Sequence, residues 1–328
     1  MKLFTLENAY LKITLSDFGA SWLSCVIKMP NEEREVLVTT SAKNWQKQTA
    51  FFGATIGRYA NRIANAEYSL NGKTYHLAKN NGEHNLHSGE LGGDKVIWKM
   101  ESQSEQAVKF SYIFADGEEG FGGEVEAFVE YRLTDNELKI SFDAKSNQDT
   151  PLCLTNHAYF NLQGSENILD HELMISAESY LPVDPSGIPN APLKKVAGTS
   201  FDFRQLKKIG QDLLADDDQK AVKGYDHAFH LAKNRENLTS CLAVEDLKME
   251  LHTSMPALQI YTGNWLKGQP NLSEGEYEDY AGVALEPEFF PNSVNQPELL
   301  KFGGITKAGE NYHHTISYRF VSDFNHKM

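Results

Sequence analysis

The sequence predicts an all-β fold: a large antiparallel β-sandwich in one domain, residues 1–328, with few short helices. Three observations carry this expectation. Apolar and polar residues alternate with period two in several separate segments. An Asn-Gly pair sits between two of the predicted strands. Helical signals are few and short, and no Ser/Gly/Pro-rich linker or short-period repeat divides the chain.

The hairpin comes first along the chain. Asn71-Gly72 separates Ala66-Glu67-Tyr68-Ser69-Leu70 from Lys73-Thr74-Tyr75-His76-Leu77. Both turn residues tolerate positive φ, as a two-residue hairpin turn requires. Counting outward pairs Leu70 with Lys73 and Tyr68 with Tyr75, which sets an aromatic cross-strand pair on the apolar face.

Next, Val108, Phe110, Tyr112 and Phe114 point one way, with Lys109 and Ser111 between them. Val125, Ala127, Val129 and Tyr131 alternate with Glu124, Glu126 and Glu130. Leu138, Ile140, Phe142 and Ala144 alternate with Glu137, Lys139, Ser141 and Asp143, and Ile316, Tyr318 and Phe320 close the chain in the same style. Such segments are half-buried antiparallel strands. Helix is expected only in Phe203-Arg204-Gln205-Leu206-Lys207-Lys208, as one or two turns, and in the acidic run Leu214 to Gln219, as a solvated loop or a short helix.

Bulk composition excludes several function classes. With 328 residues, 41% of them hydrophobic, the chain can bury a sizeable core. A formal net charge of −14 repels phosphates and anionic lipid heads, so nucleic acid and membrane surfaces are poor partners, while neutral ligands are unaffected. Cys25, Cys153 and Cys241 have no metal or redox-motif spacing and read as free thiols in a reducing compartment. Glu7 interrupts the apolar run a signal peptide needs, and no segment is long enough to span a bilayer. A cytoplasmic location is the expectation.

Four stretches carry chemistry. Thr155-Asn156-His157-Ala158-Tyr159-Phe160-Asn161-Leu162 reads as a strand that sets one imidazole among amides and rings. Imidazole trades a proton near neutral pH, and Asn156 and Asn161 could fix its tautomer. The plainer alternative is a core histidine satisfied by its neighbours. In Val283-Ala284-Leu285-Glu286-Pro287, Ala284 and Glu286 face away from Val283 and Leu285. Pro287 is expected to end regular pairing and leave Glu286 at a strand end. Glu288 shares its face, and two nearby carboxylates repel, so one holds its proton to a higher pH. In Asn85-Leu86-His87-Ser88-Gly89, the spacing from His84 to His87 suggests a metal, but no cysteine or acidic cluster completes a ligand set; His227 with His230, and His313 with His314, are equally incomplete. In Gly224-Tyr225-Asp226-His227, Asp226 either makes a turn or accepts from two vicinal hydroxyls, with Arg62 as a complementary donor fork. The Gly-rich pieces do not open a helix after a strand and are no phosphate loop.

Together these stretches resemble the aldose 1-epimerase (galactose mutarotase) family. The resemblance runs nearly end to end, through Gly57-Arg58-Tyr59-Ala60-Asn61-Arg62-Ile63, the Asn71-Gly72 hairpin, Asn85-Leu86-His87, Asn156-His157-Ala158-Tyr159-Phe160-Asn161-Leu162, Asp226-His227, Tyr261-Thr262-Gly263-Asn264 and Ala284-Leu285-Glu286-Pro287. It implies a mutarotase-like supersandwich that interconverts the α and β anomers of free aldohexoses, with no cofactor and no metal. It implies His157 as general acid and Glu286 as general base, converging from opposite sides of a bound pyranose. Arg62, His87 and Asp226 correspond to residues that grip the sugar, and Asn85 to the asparagine preceding the family's Leu-His-Gly-Gly motif. Ser88 stands where that motif has glycine, and Glu288 where glutamine is usual. The alternatives are a hexose-6-phosphate 1-epimerase, a non-catalytic carbohydrate-binding protein of the same fold, and a glycosidase using a carboxylate pair.

Overall fold

The alternating segments become strands because each hides its apolar residues in one layer and leaves charged residues in water. Val125, Ala127, Val129 and Tyr131 are fully buried, as are Leu138, Ile140 and Phe142. Their strands, Val125–Thr134 and Glu137–Ser146, pair over their whole length. The computed structural model describes residues 1–231 and 238–322.

Two large sheets dominate. The nine-stranded sheet runs, edge to edge, through Lys99–Gln103, Ala107–Phe114, Val125–Thr134, Glu137–Ser146, Asn311–Ser322, Leu247–Thr253, Ser240–Ala243, Glu172–Ile175 and Lys207–Lys208. The seven-stranded sheet runs through Lys194–Lys195, Ala177–Tyr180, Asp226–Leu231, Ala257–Tyr261, Val283–Glu288, Tyr159–Phe160 and Leu37–Val38. Strand pairing in both is antiparallel. A four-stranded sheet, Leu3 to Glu35, packs on the same core.

The main core lies between the large sheets. Val129, Phe142 and Ile316 from one meet Leu258, Ile260, Val283 and Leu285 from the other. Period two therefore sends Gln259, Tyr261, Ala284 and Glu286 to the opposite face of the seven-stranded sheet. That second face is roofed by loops rather than opened to water, and it carries the cleft described below.

The Asn71-Gly72 hairpin forms in the expected register, with Leu70 opposite Lys73 and Tyr68 opposite Tyr75. The two tyrosine rings stack, centroids 4.7 Å apart. The acidic run yields helix Asp217–Ala221, capped by Asp216, whose side chain accepts from the Gln219 N–H. The helix expected at Phe203 to Lys208 is absent. Lys207–Lys208 instead pair as an edge strand with Leu173 and Glu172, followed by a 3₁₀ turn at Ile209–Asp212. Of its two apolar residues Phe203 joins the core and Leu206 stays exposed, while Lys207 bonds Ser200 O and Asp212, so tertiary contacts override a short helical pattern.

Pro287 does not end the pairing of its strand. Val283–Glu288 runs through it, with Leu258 opposite Pro287 and Ala257 opposite Glu288. The Pro287 carbonyl accepts from Thr155 Oγ1, away from the Ala257–Tyr261 neighbour. The missing N–H lies on that side too, where the ladder makes no demand on it.

Candidate active site

Several strands and loops converge on one cleft of about 260 Å³, a size suited to a single small ligand. His157, Glu286, His87, Arg62 and Asp226 all line it. Asn85 does not: its side chain is buried and donates to Ala78 O at 2.8 Å, holding the chain behind His87.

His157 owes its position to an interrupted strand. The stretch Thr155 to Leu162 is not continuous: Thr155–Asn156 pairs with Thr55–Ile56, and Tyr159–Phe160 with Val283 and Ala284. His157 stands in the gap, its backbone N–H donating to Ala54 O and its carbonyl accepting from Gly53 N–H. Neither asparagine bonds the imidazole. Asn156 Nδ2 donates to Gly53 O and Tyr131 Oη, and Asn161 Nδ2 to Ser165 O and Ala281 O, so both shape the backbone instead. The ring is held by packing, 5.6 Å from Phe51, 5.0 Å from Tyr159 and 5.4 Å from His87 between centroids.

Glu286 sits mid-strand and is 3% exposed, not solvated at a strand end. Its Oε2 lies 3.5 Å from His157 Nε2. The two groups are thus side by side, not on opposite sides of a ligand as the sequence suggested. Burial, then the charge of Glu288, pushes the Glu286 carboxyl well above the usual range. Burial also pushes His157 down to about 4. Burial favours the neutral form of both groups, and the attraction across 3.5 Å opposes it.

His87 is approached from behind by Asn61. The Asn61 N–H donates to His87 Nδ1 at 3.1 Å, and the His87 N–H donates to Asn61 O at 3.0 Å. A neutral imidazole that accepts at Nδ1 carries its proton on Nε2. Burial lowers the His87 pKa, so that neutral form holds and a donor faces the cleft. Ligand atoms of His87, His157 and Glu286 lie within 4.8 Å of one another. A metal needs lone pairs, and the Asn61 contact occupies the one on His87, so this set does not fit a metal ion. Histidines of the pairs noted in the sequence are engaged elsewhere: His84 bonds Asn65 and Ser186, His227 Nδ1 accepts from the Asp226 N–H, and His313 bonds Asp143.

Asp226 begins a strand of the seven-stranded sheet and is held by Gln259, whose Nε2 donates to its Oδ1 at 2.6 Å. Burial raises its pKa, with Arg62 and Gln259 opposing. The Arg62 guanidinium lies on Gly187, where any Cβ would fall 2.7 Å from Cζ. Its Nε donates to Asn81 Oδ1. Ser88 takes φ +73°, a region glycine prefers, and its Oγ recovers two bonds, from Tyr59 N–H and to Tyr59 O.

Sequence reasoning missed Gln259, Phe51 and Trp265 and gave no role to Tyr261, although all four line the cleft. Gln259 lies directly opposite Glu286 in the sheet, and its buried Oε1 has no hydrogen-bond partner in the protein. Trp265 stands at the rim, 64% exposed.

The comparisons with known proteins agree along the whole chain. The family model described as Aldose 1-epimerase matches residues 2–319. The Aldose 1-epimerase of Haemophilus influenzae is 44% identical over 97% of this chain and 95% of its own length. The Galactose mutarotase of Sus scrofa is 37% identical over 97% and 93%. Among solved structures, a GalM/aldose epimerase homologue from C. elegans superimposes with a TM-score of 0.91 at 27% identity, over 98% of this chain and 99% of that one. A galactose 1-epimerase from Lactobacillus acidophilus gives 0.86 at 28%, over 98% and 94%. With a family model matching nearly the whole chain, and relatives matching over nearly all their length, the chain belongs to the aldose 1-epimerase family.

Proposed function

We propose that the cleft interconverts the α and β anomers of a free aldohexose, galactose or glucose, by acid–base ring opening and reclosure. Glu286 is the general base and His157 the general acid. The observation that carries this reading is the 3.5 Å approach of His157 Nε2 to Glu286 Oε2 inside the cleft.

Mutarotation moves two protons at two oxygens bonded to the same carbon, so an acid and a base side by side suit it. Glu286 takes the proton of the anomeric hydroxyl while the His157 imidazolium gives one to the ring oxygen. The bond from C1 to the ring oxygen breaks and the aldehyde forms. Rotation about C1–C2 presents the other face of the carbonyl. The pair is now a carboxylic acid and a neutral imidazole, the forms that burial favours, and reclosure returns both protons. Each positioned transfer contributes about 10²–10⁴-fold. The chemistry calls for no cofactor.

Arg62, His87 through its Nε2–H, and Asp226 with Gln259 are read as the groups that grip the hydroxyls. Arg62 is the one Lys or Arg among the lining residues, alongside Asp226 and Glu286, which favours a neutral sugar over a phosphorylated one. One sandwich domain over residues 1–328 and a cytoplasmic setting belong to the same reading, the latter supported by three buried free thiols. Among the described residues no helix is long and apolar enough to cross a membrane.

Polarimetry on freshly dissolved α-galactose and α-glucose tests the proposal. Acceleration of the approach to anomeric equilibrium is expected. A trace indistinguishable from the uncatalysed one overturns it, and acceleration only for a hexose phosphate overturns the substrate class.

A further inference from the structure

Glu288 is a fully buried carboxyl two residues from the base and on the same face of its strand. Its Oε1 accepts from Asn61 Nδ2 at 2.9 Å, and its Oε2 is buried with no partner in the protein. Asn61 cannot easily turn away, because its backbone is bonded both ways to His87. The titratable and charged groups that bear on Glu288 are Glu286 on its own strand, Asp226, Arg62, Tyr59 and Cys153, while Glu286 is also faced by His157 at 3.5 Å. Arg62 is the only cation of this set, and it also serves Glu286 and Asp226.

We infer that Glu288 is a positioning residue that tunes the base: its carboxylate, held by Asn61, acts on Glu286 and makes it a stronger proton acceptor. This inference rests on the acid–base reading above. Two carboxylates in one desolvated pocket do not both ionise readily. The first charge settles where a donor meets it, which is Glu288 with Asn61. Glu286 then holds a proton more tightly than it would beside a neutral neighbour. Burial raises Glu288 itself to about 8, so the pair loses its protons in two coupled steps, and the charge that strengthens Glu286 builds up as pH rises toward that value. A stronger base is what removal of a proton from a weakly acidic anomeric hydroxyl requires. A glutamine at this position would accept the same Asn61 bond but carry no charge.

The test is Glu288→Gln, which preserves shape and the Asn61 contact. Rates of anomer interconversion are measured across pH for both proteins. The acid limb of kcat/KM is expected to move to lower pH by about one unit or more, and the plateau kcat to fall. A limb that stays in place overturns the inference. Should Glu288→Gln fail to fold, ¹³C-carboxyl NMR of glutamate-labelled Glu286→Gln replaces it: Glu288 is expected to titrate at lower pH than the wild-type pair, and no difference overturns the inference. The two readings fail separately. Retained turnover in Glu286→Gln sinks the acid–base assignment, whereas an inactive Glu286→Gln with an unmoved limb in Glu288→Gln sinks only the role of Glu288.

Discussion

Replacing Glu286 by glutamine keeps its volume and removes its ability to take a proton. Turnover should fall by about 10²–10⁴-fold or more while sugar binding persists, checked by polarimetry beside calorimetric titration with galactose. His157→Asn should lose turnover in the same way. Asp226→Ala should weaken both binding and rate, because it also strands Gln259 Nε2, now bonded at 2.6 Å. A rise in KM together with a fall in kcat is the expected signature. These residues stood out in the sequence as imidazoles, carboxylates and a guanidinium, but each alone allowed a plainer reading, and their roles came only with the family resemblance. Asn85 was legible only as a neighbour of His87, and its amide turned out to serve the loop. Gln259 was silent: an amide between Leu258 and Ile260 looks like the outer face of any strand. Nothing local says that this outer face is roofed.

At the scale of elements, the hairpin is the clearest case of local sequence dictating local structure. Gly72 has φ +78° and nothing near its missing Cβ, so only backbone conformation restricts the position. Gly72→Val should cost about 1–2 kcal/mol, read from the denaturation midpoint, without altering the cleft. The broken strand around His157 could not be read this way. Its break depends on distant groups: Tyr131 Oη, which donates to Ala20 O and receives from Asn156 Nδ2, braces the segment from across the core. Tyr131→Phe should therefore destabilise the protein by about 1–3 kcal/mol, since buried partners lose their bond. The misread helix at Phe203 and the uninterrupted pairing at Pro287 have the same origin. Both are settled by which neighbour arrives, and the linear pattern does not encode that.

For the molecule as a whole, burial of titratable groups sets two opposing slopes of stability against pH. His157 and His171, lowered to about 4, and His227, lowered to about 3, are kept neutral chiefly by burial. Below their ordinary value of 6.5 the unfolded chain binds more protons, so their contribution is complete above 6.5 and declines as pH falls toward about 4. Glu288 is raised from 4.5 to about 8, so its contribution is complete below 4.5 and lost as pH rises toward about 8. Thermal midpoints should be highest in mildly acidic to neutral solution and fall on both sides, and Glu288→Gln should flatten the alkaline decline. The sandwich itself was legible from alternation alone. That one sheet's second face would be covered, and so become a reaction vessel, was not. The rim of that vessel also provides an optical handle. Trp22, Trp45 and Trp98 are buried, so a sugar settling beneath Trp265 would perturb the one indole in contact with water. A change in tryptophan fluorescence should then report occupancy in variants that no longer turn over, and so separate binding from chemistry without a catalytic assay.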